Sequence, residues 1–287
     1  MLDKIVPKKI KYLIDLIRLD KPIGFLLLMW PCWFALAILP QNNAELTYWY
    51  VYFVIGAFLM RSAGCIINDL VDMNLDKNVA RTAERPLASK KVSITEAIVL
   101  LFVLLFFSFY ILLQFNFYAI VTGLASIPLV LLYPFLKRYT YWPQLGLGLV
   151  FSWGVLIVSI QFTGTISLSF FLLYIACVFW TLAYDTIYAY QDREDDIKNN
   201  VKSTAVLFGF NGKKYVRVFY SIFYVIIGFL GFYSLKSFLS LVVIIALIFA
   251  MSLHLNKWKL DSTNSSNHYF KFNNIIGLLC FLYLVIF

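Results

Sequence analysis

Long apolar runs constrain this chain more than any other feature. Stretches of about 20 residues with almost no charge recur from residue 23 to residue 287, and a helix needs about 20 apolar residues to cross a bilayer. Because lipid offers no partner to backbone N–H and C=O groups, such runs predict helices. The mean hydropathy of +0.81 and the 14% of charged residues lie outside the range of soluble domains.

The runs predict an all-α, polytopic membrane protein with nine transmembrane helices in a single domain, residues 1–287. No polar segment between the runs is long enough to form a second domain. Pro128 and Pro134 fall within the fourth span, where kinks are tolerated. The predicted spans cover residues 23–39, 47–67, 94–114, 117–136, 142–160, 168–188, 215–233, 237–254 and 270–287.

Lysine and arginine are confined to alternate connections between these spans. Of the 24 such residues, 22 lie before the first span or after the second, fourth, sixth and eighth, Arg61 lies inside a span, and the opposite connections hold only Lys236. The positive-inside rule therefore predicts a protein of the cell inner membrane with its N-terminus and long loops in the cytoplasm. This topology explains the net charge of +9 and argues against nucleic acid as a partner.

Eight of the 15 acidic residues lie in two short segments, each at the end of a predicted span and running into the connection that follows it. In the first acidic segment, residues 68–76, Asn68, Asp72 and Asp76 are four residues apart and share one helix face, with Asp69 beside them. Like charges at this spacing repel each other, so the pattern indicates a bound cation. Oxygen ligands of this kind suit Mg²⁺.

The second acidic segment, residues 185–196, repeats the pattern with Asp192 and Asp196, and Asp195 beside them. Basic side chains follow both segments, and we interpret Arg81, Lys198 and Lys202 as ligands for the oxygens of a diphosphate. Carboxylates for a metal together with cations for phosphate form the ligand set that a diphosphate requires. The alternative is a set of solvated loop charges that flank membrane helices.

Three further cations are candidates for the same site. Arg61 lies one or two turns inside a span, where an arginine normally faces a partner or a watery cavity, and we expect it to face the acidic segments. Snorkelling to the interface is the alternative. Lys137 and Arg138 follow the fourth span, and ordinary positive-inside flanking explains them equally well.

Taken together, these motifs resemble a known family. The sequence N68-D-x-x-D-x-x-x-D76 followed by R81-T-A-E-R-P-L, and D185-T-x-Y-A-x-x-D-x-x-D-D196 followed by K202-S-T-A, resemble the two aspartate-rich motifs of UbiA-type prenyltransferases. R18-L-D-K-P-I-G24 and Y133-P-x-x-K-R138 are similar to the 4-hydroxybenzoate polyprenyltransferase branch. The resemblance covers residues from about 16 to 210.

This resemblance implies a helical bundle around a central cavity, with Mg²⁺ between the two motifs. The donor would be a polyprenyl diphosphate, and the acceptor 4-hydroxybenzoate, prenylated ortho to its hydroxyl on the way to ubiquinone. Alternatives are another aromatic acceptor (naphthoate, homogentisate or haem) and a cation transporter, whose carboxylates should lie near the midplane. The expected metal ligands are Asn68, Asp72, Asp76, Asp192 and Asp196.

The resemblance also assigns the remaining roles. Asp72, Asp192, Asp196 and Arg138 are the expected catalytic residues, with Arg138 near the acceptor carboxylate or the donor head group. The expected substrate-binding residues are Asn68, Asp69, Arg61, Arg81, Lys137, Asp195, Lys198 and Lys202.

Overall fold

The computed structural model describes residues 7–40, 46–79, 81–235 and 238–287, and within these ranges the chain forms helices and turns without a strand. Fourteen α-helices follow one another, and a short 3₁₀ helix, Gly209–Asn211, precedes α12. The α-helices are α1 Lys8–Leu16, α2 Ile23–Ala37, α3 Leu46–Asp76, α4 Ile94–Leu112, α5 Phe117–Leu124, α6 Ile127–Tyr139, α7 Pro143–Phe151, α8 Gly154–Thr163, α9 Leu168–Ala189, α10 Arg193–Lys198, α11 Thr204–Phe208, α12 Gly212–Leu235, α13 Phe238–Asn256 and α14 Thr263–Ile286.

These helices account for the nine predicted spans. Eight helical segments among the described residues are long and apolar enough to cross a membrane, and α2, with 15 residues, is a shorter apolar helix. The prediction of an all-α, polytopic membrane protein is therefore confirmed, and the chain is an integral membrane protein. The single domain and the central cavity stay predictions.

Two of the spans are broken in the middle. The fourth span divides into α5 and α6 around Ser126, and Pro128 takes the second position of α6, where its missing N–H costs no helix hydrogen bond. The break frees the backbone carbonyl of Thr122, and the ring N–H of Trp153, which lies at the break between α7 and α8, donates to it at 2.8 Å. The break in the fourth span is thus compensated by a side chain from the neighbouring span, as lipid requires.

Helix α9 lies at the centre of the bundle and packs against α2, α7, α8, α12 and α14. Its side chains are buried along most of its length, including Trp180. On α7, a Cβ atom added at Gly148 would lie 3.0 Å from the carbonyl oxygen of Val178. Glycine at this position lets the two helix backbones approach closely, as small residues do in membrane bundles.

A buried asparagine connects three of these helices. Asn273 on α14 accepts hydrogen bonds from the ring N–H of Trp180 on α9 at 2.9 Å and from the hydroxyl of Tyr220 on α12 at 2.8 Å. Its own amide donates to the backbone carbonyl of Tyr269 at 3.0 Å. Because both polar ends of Asn273 are satisfied, its burial is tolerated in the apolar core.

The helices alternate in direction, so the polar connections meet at one end of the bundle. Asp72 near the end of α3 contacts Lys137 near the end of α6, and Lys213 at the start of α12 donates to the carbonyl of Asn256 at the end of α13. We call this the acidic end, because both acidic segments lie there. At the opposite end the neutral Asn116 caps α5 and bonds to α8.

Candidate active site at the acidic end

The first acidic segment lies on the last turns of α3, whose 31 residues make it longer than a membrane crossing requires. The side chains of Asp69, Asp72 and Asp76 are buried, with 2%, 0% and 5% of their surface exposed. A buried carboxylate is unfavourable unless it is paired and hydrogen-bonded. Each of the three has a cationic partner from elsewhere in the chain.

Two arginines hold the outer pair of these carboxylates. One Arg18 nitrogen, Nη2, donates to both oxygens of Asp69, at 3.0 and 2.7 Å. Arg85 donates from Nη1 to Asp69 at 3.0 Å and to Asp76 at 2.9 Å, so it bridges two turns of α3. The sequence suggested no pairing for Arg18, because it lies 51 residues before Asp69 and no local spacing relates them.

Asp72 has a different environment from its neighbours. One of its oxygens, Oδ2, accepts a hydrogen bond from the ammonium of Lys137 in the last turn of α6. The other, Oδ1, is buried and has no hydrogen-bond partner among the described residues. A buried unpaired carboxylate oxygen is costly, so this atom indicates a place where a ligand completes the site.

The second acidic segment meets the first through Arg81. The guanidinium donates two parallel hydrogen bonds to Asp192, from Nε at 2.7 Å and from Nη2 at 2.5 Å. Its third nitrogen donates to the hydroxyl of Tyr188 at 2.7 Å. Since Arg81 follows α3 and Asp192 follows α9, the two acidic segments lie at the same end of the bundle and close together.

Asp196, on α10, completes the second segment. It accepts a hydrogen bond from the hydroxyl of Ser203 at 3.1 Å. Burial, with repulsion from Asp192, raises the pKa of Asp196 to about 7, against the opposite influence of Ser203, Lys137 and Arg81. This carboxylate therefore lies within electrostatic range of the cations that hold Asp72 and Asp192.

Two of the predicted cations bind backbone carbonyls instead of carboxylates. Arg138 donates to the carbonyl of Val71 on α3 at 3.1 Å, and the Lys202 ammonium donates to that of Tyr139 at 3.0 Å. Tyr139 is the last residue of α6, and a cation near a helix C-terminus satisfies a carbonyl that lacks a partner within the helix. Both side chains are at the rim of the site, where they can exchange these contacts for a ligand.

The remaining predicted residues at this end are more open. The Lys198 ammonium is 71% exposed and lies 3.9 Å from Asp195. Asn68 is half-buried on α3, and no described residue hydrogen-bonds to its side chain. The structure thus brings Asp72, Asp192 and their cations together and leaves Lys198 at the edge.

Arg61 lies deeper in the bundle than the other cations. Its Nη1 donates to the sulfur of Cys65 at 2.7 Å, and its Nε is buried without a partner among the residues that the structure describes. Gly24 provides the space, because an added Cβ atom there would lie 2.8 Å from this Nε. Among carboxylates, the one whose charge acts on Arg61 is Asp185, the first carboxylate of the second segment.

The carboxylate oxygens at the acidic end suit a metal ion whose remaining coordination positions are filled by a bound ligand. Within the described ranges, no three acidic, histidine or cysteine side chains are arranged to hold a metal. Mg²⁺, however, usually binds one or two carboxylates and completes its shell with water and phosphate oxygens. The unpartnered oxygen of Asp72 and the carboxylates of Asp192 and Asp196 agree with such a shared site, and not with a preformed protein cage.

Comparison with known proteins agrees with this geometry. The chain is 48% identical over 215 residues to the mitochondrial 4-hydroxybenzoate polyprenyltransferase of Caenorhabditis elegans, a match that covers 74% of this chain and 60% of that protein. It is 46% identical to a 4-hydroxybenzoate octaprenyltransferase of Pseudomonas aeruginosa, over 68% of this chain and 66% of that one. A Pseudoalteromonas translucida protein of the same name is 39% identical over 97% of both chains.

Solved structures share the fold at lower identity. A UbiA homologue from Aeropyrum pernix K1 matches with a TM-score of 0.72 and 21% identity, over 92% of this chain and 97% of that one. A UbiA homologue from Archaeoglobus fulgidus bound to DMAPP and Mg²⁺ also has a TM-score of 0.72, at 19% identity, over 95% and 98% of the two chains. The family profile described as "UbiA prenyltransferase family" matches residues 28–275, and the chain belongs to this family.

Proposed function

We propose that this protein transfers a polyprenyl group from polyprenyl diphosphate to the ring of 4-hydroxybenzoate, ortho to the hydroxyl, in ubiquinone biosynthesis. The proposal rests on the proximity of the two acidic segments, because Arg81, which follows the first, binds Asp192 in the second. In addition, Oδ1 of Asp72 has no hydrogen-bond partner among the described residues. The names of the relatives from C. elegans and P. translucida support the acceptor. A naphthoate, homogentisate or haem acceptor is the alternative within the family.

The charges at the acidic end suit a diphosphate. Asp69, Asp72, Asp76 and Asp192 face Arg18, Arg81, Arg85 and Lys137 in ion pairs, so the site is nearly neutral before a ligand enters. With Mg²⁺ held by the carboxylates, Arg81 and Lys137 would be available for phosphate oxygens. Cations aimed at the leaving diphosphate stabilise the charge that develops as the C–O bond breaks more than they stabilise the bound donor.

Asp72, Asp192 and Asp196 are the residues that would hold Mg²⁺, with Asn68 as a further oxygen ligand. A bound Mg²⁺ supplies Lewis-acid stabilisation of the diphosphate oxygens. The residues of the chain position the diphosphate between the two segments, while Arg18 and Arg85 keep Asp69 and Asp76 fixed on α3. Arg138 and Lys202 can leave their backbone carbonyls to bind the acceptor carboxylate or the donor head group.

The location of the site agrees with this chemistry. The isoprenoid tail of the donor belongs in lipid, whereas 4-hydroxybenzoate and diphosphate are water-soluble, and a site at the ends of membrane-spanning helices is accessible to both. Of the 24 lysines and arginines, 22 lie in the connections at the acidic end, which supports an inner-membrane protein with that end in the cytoplasm. A cation transporter is disfavoured, because its carboxylates would be expected at the midplane.

One assay tests the proposal directly. Membranes that contain the protein are incubated with 4-hydroxybenzoate, a prenyl diphosphate and Mg²⁺, and products are weighed by mass spectrometry. The expected product has the mass of the acceptor plus the prenyl group minus one hydrogen, and EDTA should abolish it. Product from a different aromatic acceptor alone would overturn the substrate, and no product across a panel of acceptors would overturn the enzymatic function.

A further inference from the structure

A second cation-rich feature lies apart from the candidate active site. A cavity of about 510 Å³ opens between α1, the end of α3 and the start of α4. Four lysines line it, Lys9, Lys77, Lys90 and Lys91, and we call it the lysine cavity. Met73 of the first acidic segment forms part of its wall, but none of its charged lining residues belongs to either acidic segment, and the proposed reaction gives the cavity no role.

The positive charge of the lysine cavity is only partly compensated. Lys9 pairs with Glu96, the one acidic residue in the lining, at 2.7 Å, and Lys91 pairs with Glu84, outside the lining, at 2.5 Å. The Lys77 ammonium donates to the neutral side chain of Asn74 at 3.2 Å. The Lys90 ammonium has no ion pair or hydrogen bond with any residue that the structure describes. The positive charges of Lys77 and Lys90 therefore have no acidic partner among the described residues and are available to an anion.

The backbone holds Lys90 in an unusual conformation at this place. Its φ of +58° lies in the left-handed region, which residues other than glycine seldom adopt. The turn is fixed by hydrogen bonds from the N–H of Lys90 to Leu87 at 3.2 Å and from the N–H of Val92 to Pro86 at 3.1 Å. Leu87 and Val92 are buried, so packing beneath the turn keeps the lysine at the cavity.

Apolar side chains adjoin the cations at the edge of the membrane. Ile94, which lines the cavity, is the first residue of the membrane-crossing helix α4 and is 49% exposed. Helix α1 adds the exposed Ile10 beside Lys9. Lysines next to exposed apolar residues at a helix end are the arrangement that attracts anionic lipid head groups and also contacts their acyl chains.

We propose that the lysine cavity binds the phosphate head group of an anionic phospholipid from the surrounding leaflet. Lys77 and Lys90 contact the phosphate, and Ile94 and the apolar face of α1 contact the upper part of the acyl chains. A free phosphate ion would use the lysines but not the apolar residues. This distinction separates a lipid from a soluble anion in the test.

The test uses the full-length protein in nanodiscs of phosphatidylcholine with or without phosphatidylglycerol, and native mass spectrometry to count retained phosphatidylglycerol. The double variant Lys77→Gln/Lys90→Gln should retain about tenfold less than wild type, because it removes the two lysines of the cavity that have no acidic partner among the described residues and so attract the phosphate most directly. The matched control is Lys214→Gln, an exposed lysine on α12, which should retain as much as wild type. Equal retention by the double variant and wild type would overturn the proposal.

Two further measurements keep the result unambiguous. The thermal midpoint in pure phosphatidylcholine should be the same for all variants, since Lys77 and Lys90 are exposed; if the double variant is unstable, Lys90→Gln alone replaces it. Phosphatidylglycerol should raise the midpoint of wild type but not of the variant. If inorganic phosphate in phosphatidylcholine discs raises it equally, the cavity binds a soluble anion and the lipid assignment is wrong.

Discussion

The two acidic segments are similar in sequence but differ in their surroundings. In the first, Asp69 and Asp76 are buried on the continuous helix α3 and share Arg85. In the second, Asp192 lies directly before the short helix α10, and Asp196 lies on α10 with a half-buried side chain. The first segment is therefore a rigid part of the bundle, whereas the second can adjust to a ligand.

The ion pairs of the two segments should also differ in how much they contribute to stability. Removing one partner of a buried ion pair costs about 3–5 kcal/mol, whereas an exposed pair contributes about 0–1 kcal/mol. Changes in the first segment should therefore affect stability as well as turnover. Changes in the second should affect turnover with little loss of stability.

The largest effect is expected at Asp72, whose buried Oδ1 has no hydrogen-bond partner among the described residues. Asp72→Asn keeps the shape of the side chain but removes its charge, and turnover in the mass-spectrometric assay should fall by about 1000-fold or more. The control is Asp20→Asn, because Asp20 is 42% exposed and lies 3.7 Å from Lys21, and it should remain active. Near-normal turnover of Asp72→Asn in the membrane at saturating Mg²⁺ would contradict the assignment.

Arg85→Gln probes the rigid segment. Because Asp69 and Asp76 both lose a partner, the free energy of unfolding should fall by about 3 kcal/mol, measured by denaturation in mixed micelles. Lys21→Gln, which breaks the exposed pair with Asp20, should change it by less than about 0.5 kcal/mol. Equal stability of the two variants would remove the contrast between the segments.

Arg81→Lys tests the second segment with charge retained. A lysine cannot reproduce the two parallel hydrogen bonds to Asp192, so kcat/KM for the prenyl diphosphate should fall about 10–100-fold. Stability should stay close to wild type, because the Arg81 side chain is 32% exposed. A loss of stability as large as that of Arg85→Gln would show that Arg81 belongs to the rigid part.

The smallest effect is expected at Lys198, at the edge of the second segment. Lys198→Gln removes a side chain that is 71% exposed and should raise KM for the donor about threefold, since an exposed cation contributes less than about 1 kcal/mol. The thermal midpoint should not change. An unaltered KM would exclude Lys198 from diphosphate binding.

The spans and the acidic segments could be predicted because they depend on local patterns: about 20 apolar residues for a crossing, and carboxylates four residues apart. The breaks in the fourth and fifth spans could not be predicted from local patterns. The hydrogen bond from the ring N–H of Trp153 to the carbonyl of Thr122, which compensates one break, joins residues on different helices. The pairing of Arg18 with Asp69 was missed for the same reason. The roles of the predicted site residues remain predictions, since only turnover and binding measurements can assign them.

The hydrogen bonds of Asn273 also affect where the second acidic segment points. They fix the rotation of α9 about its own axis, because Trp180 must face α14 to donate to Asn273. A shift of one residue would turn every side chain of α9 by about 100°. Asp185 and the chain that leads to Asp192 would then face away from α3. An uncharged amide in the apolar core thus determines whether the two carboxylate groups can act on the same substrate.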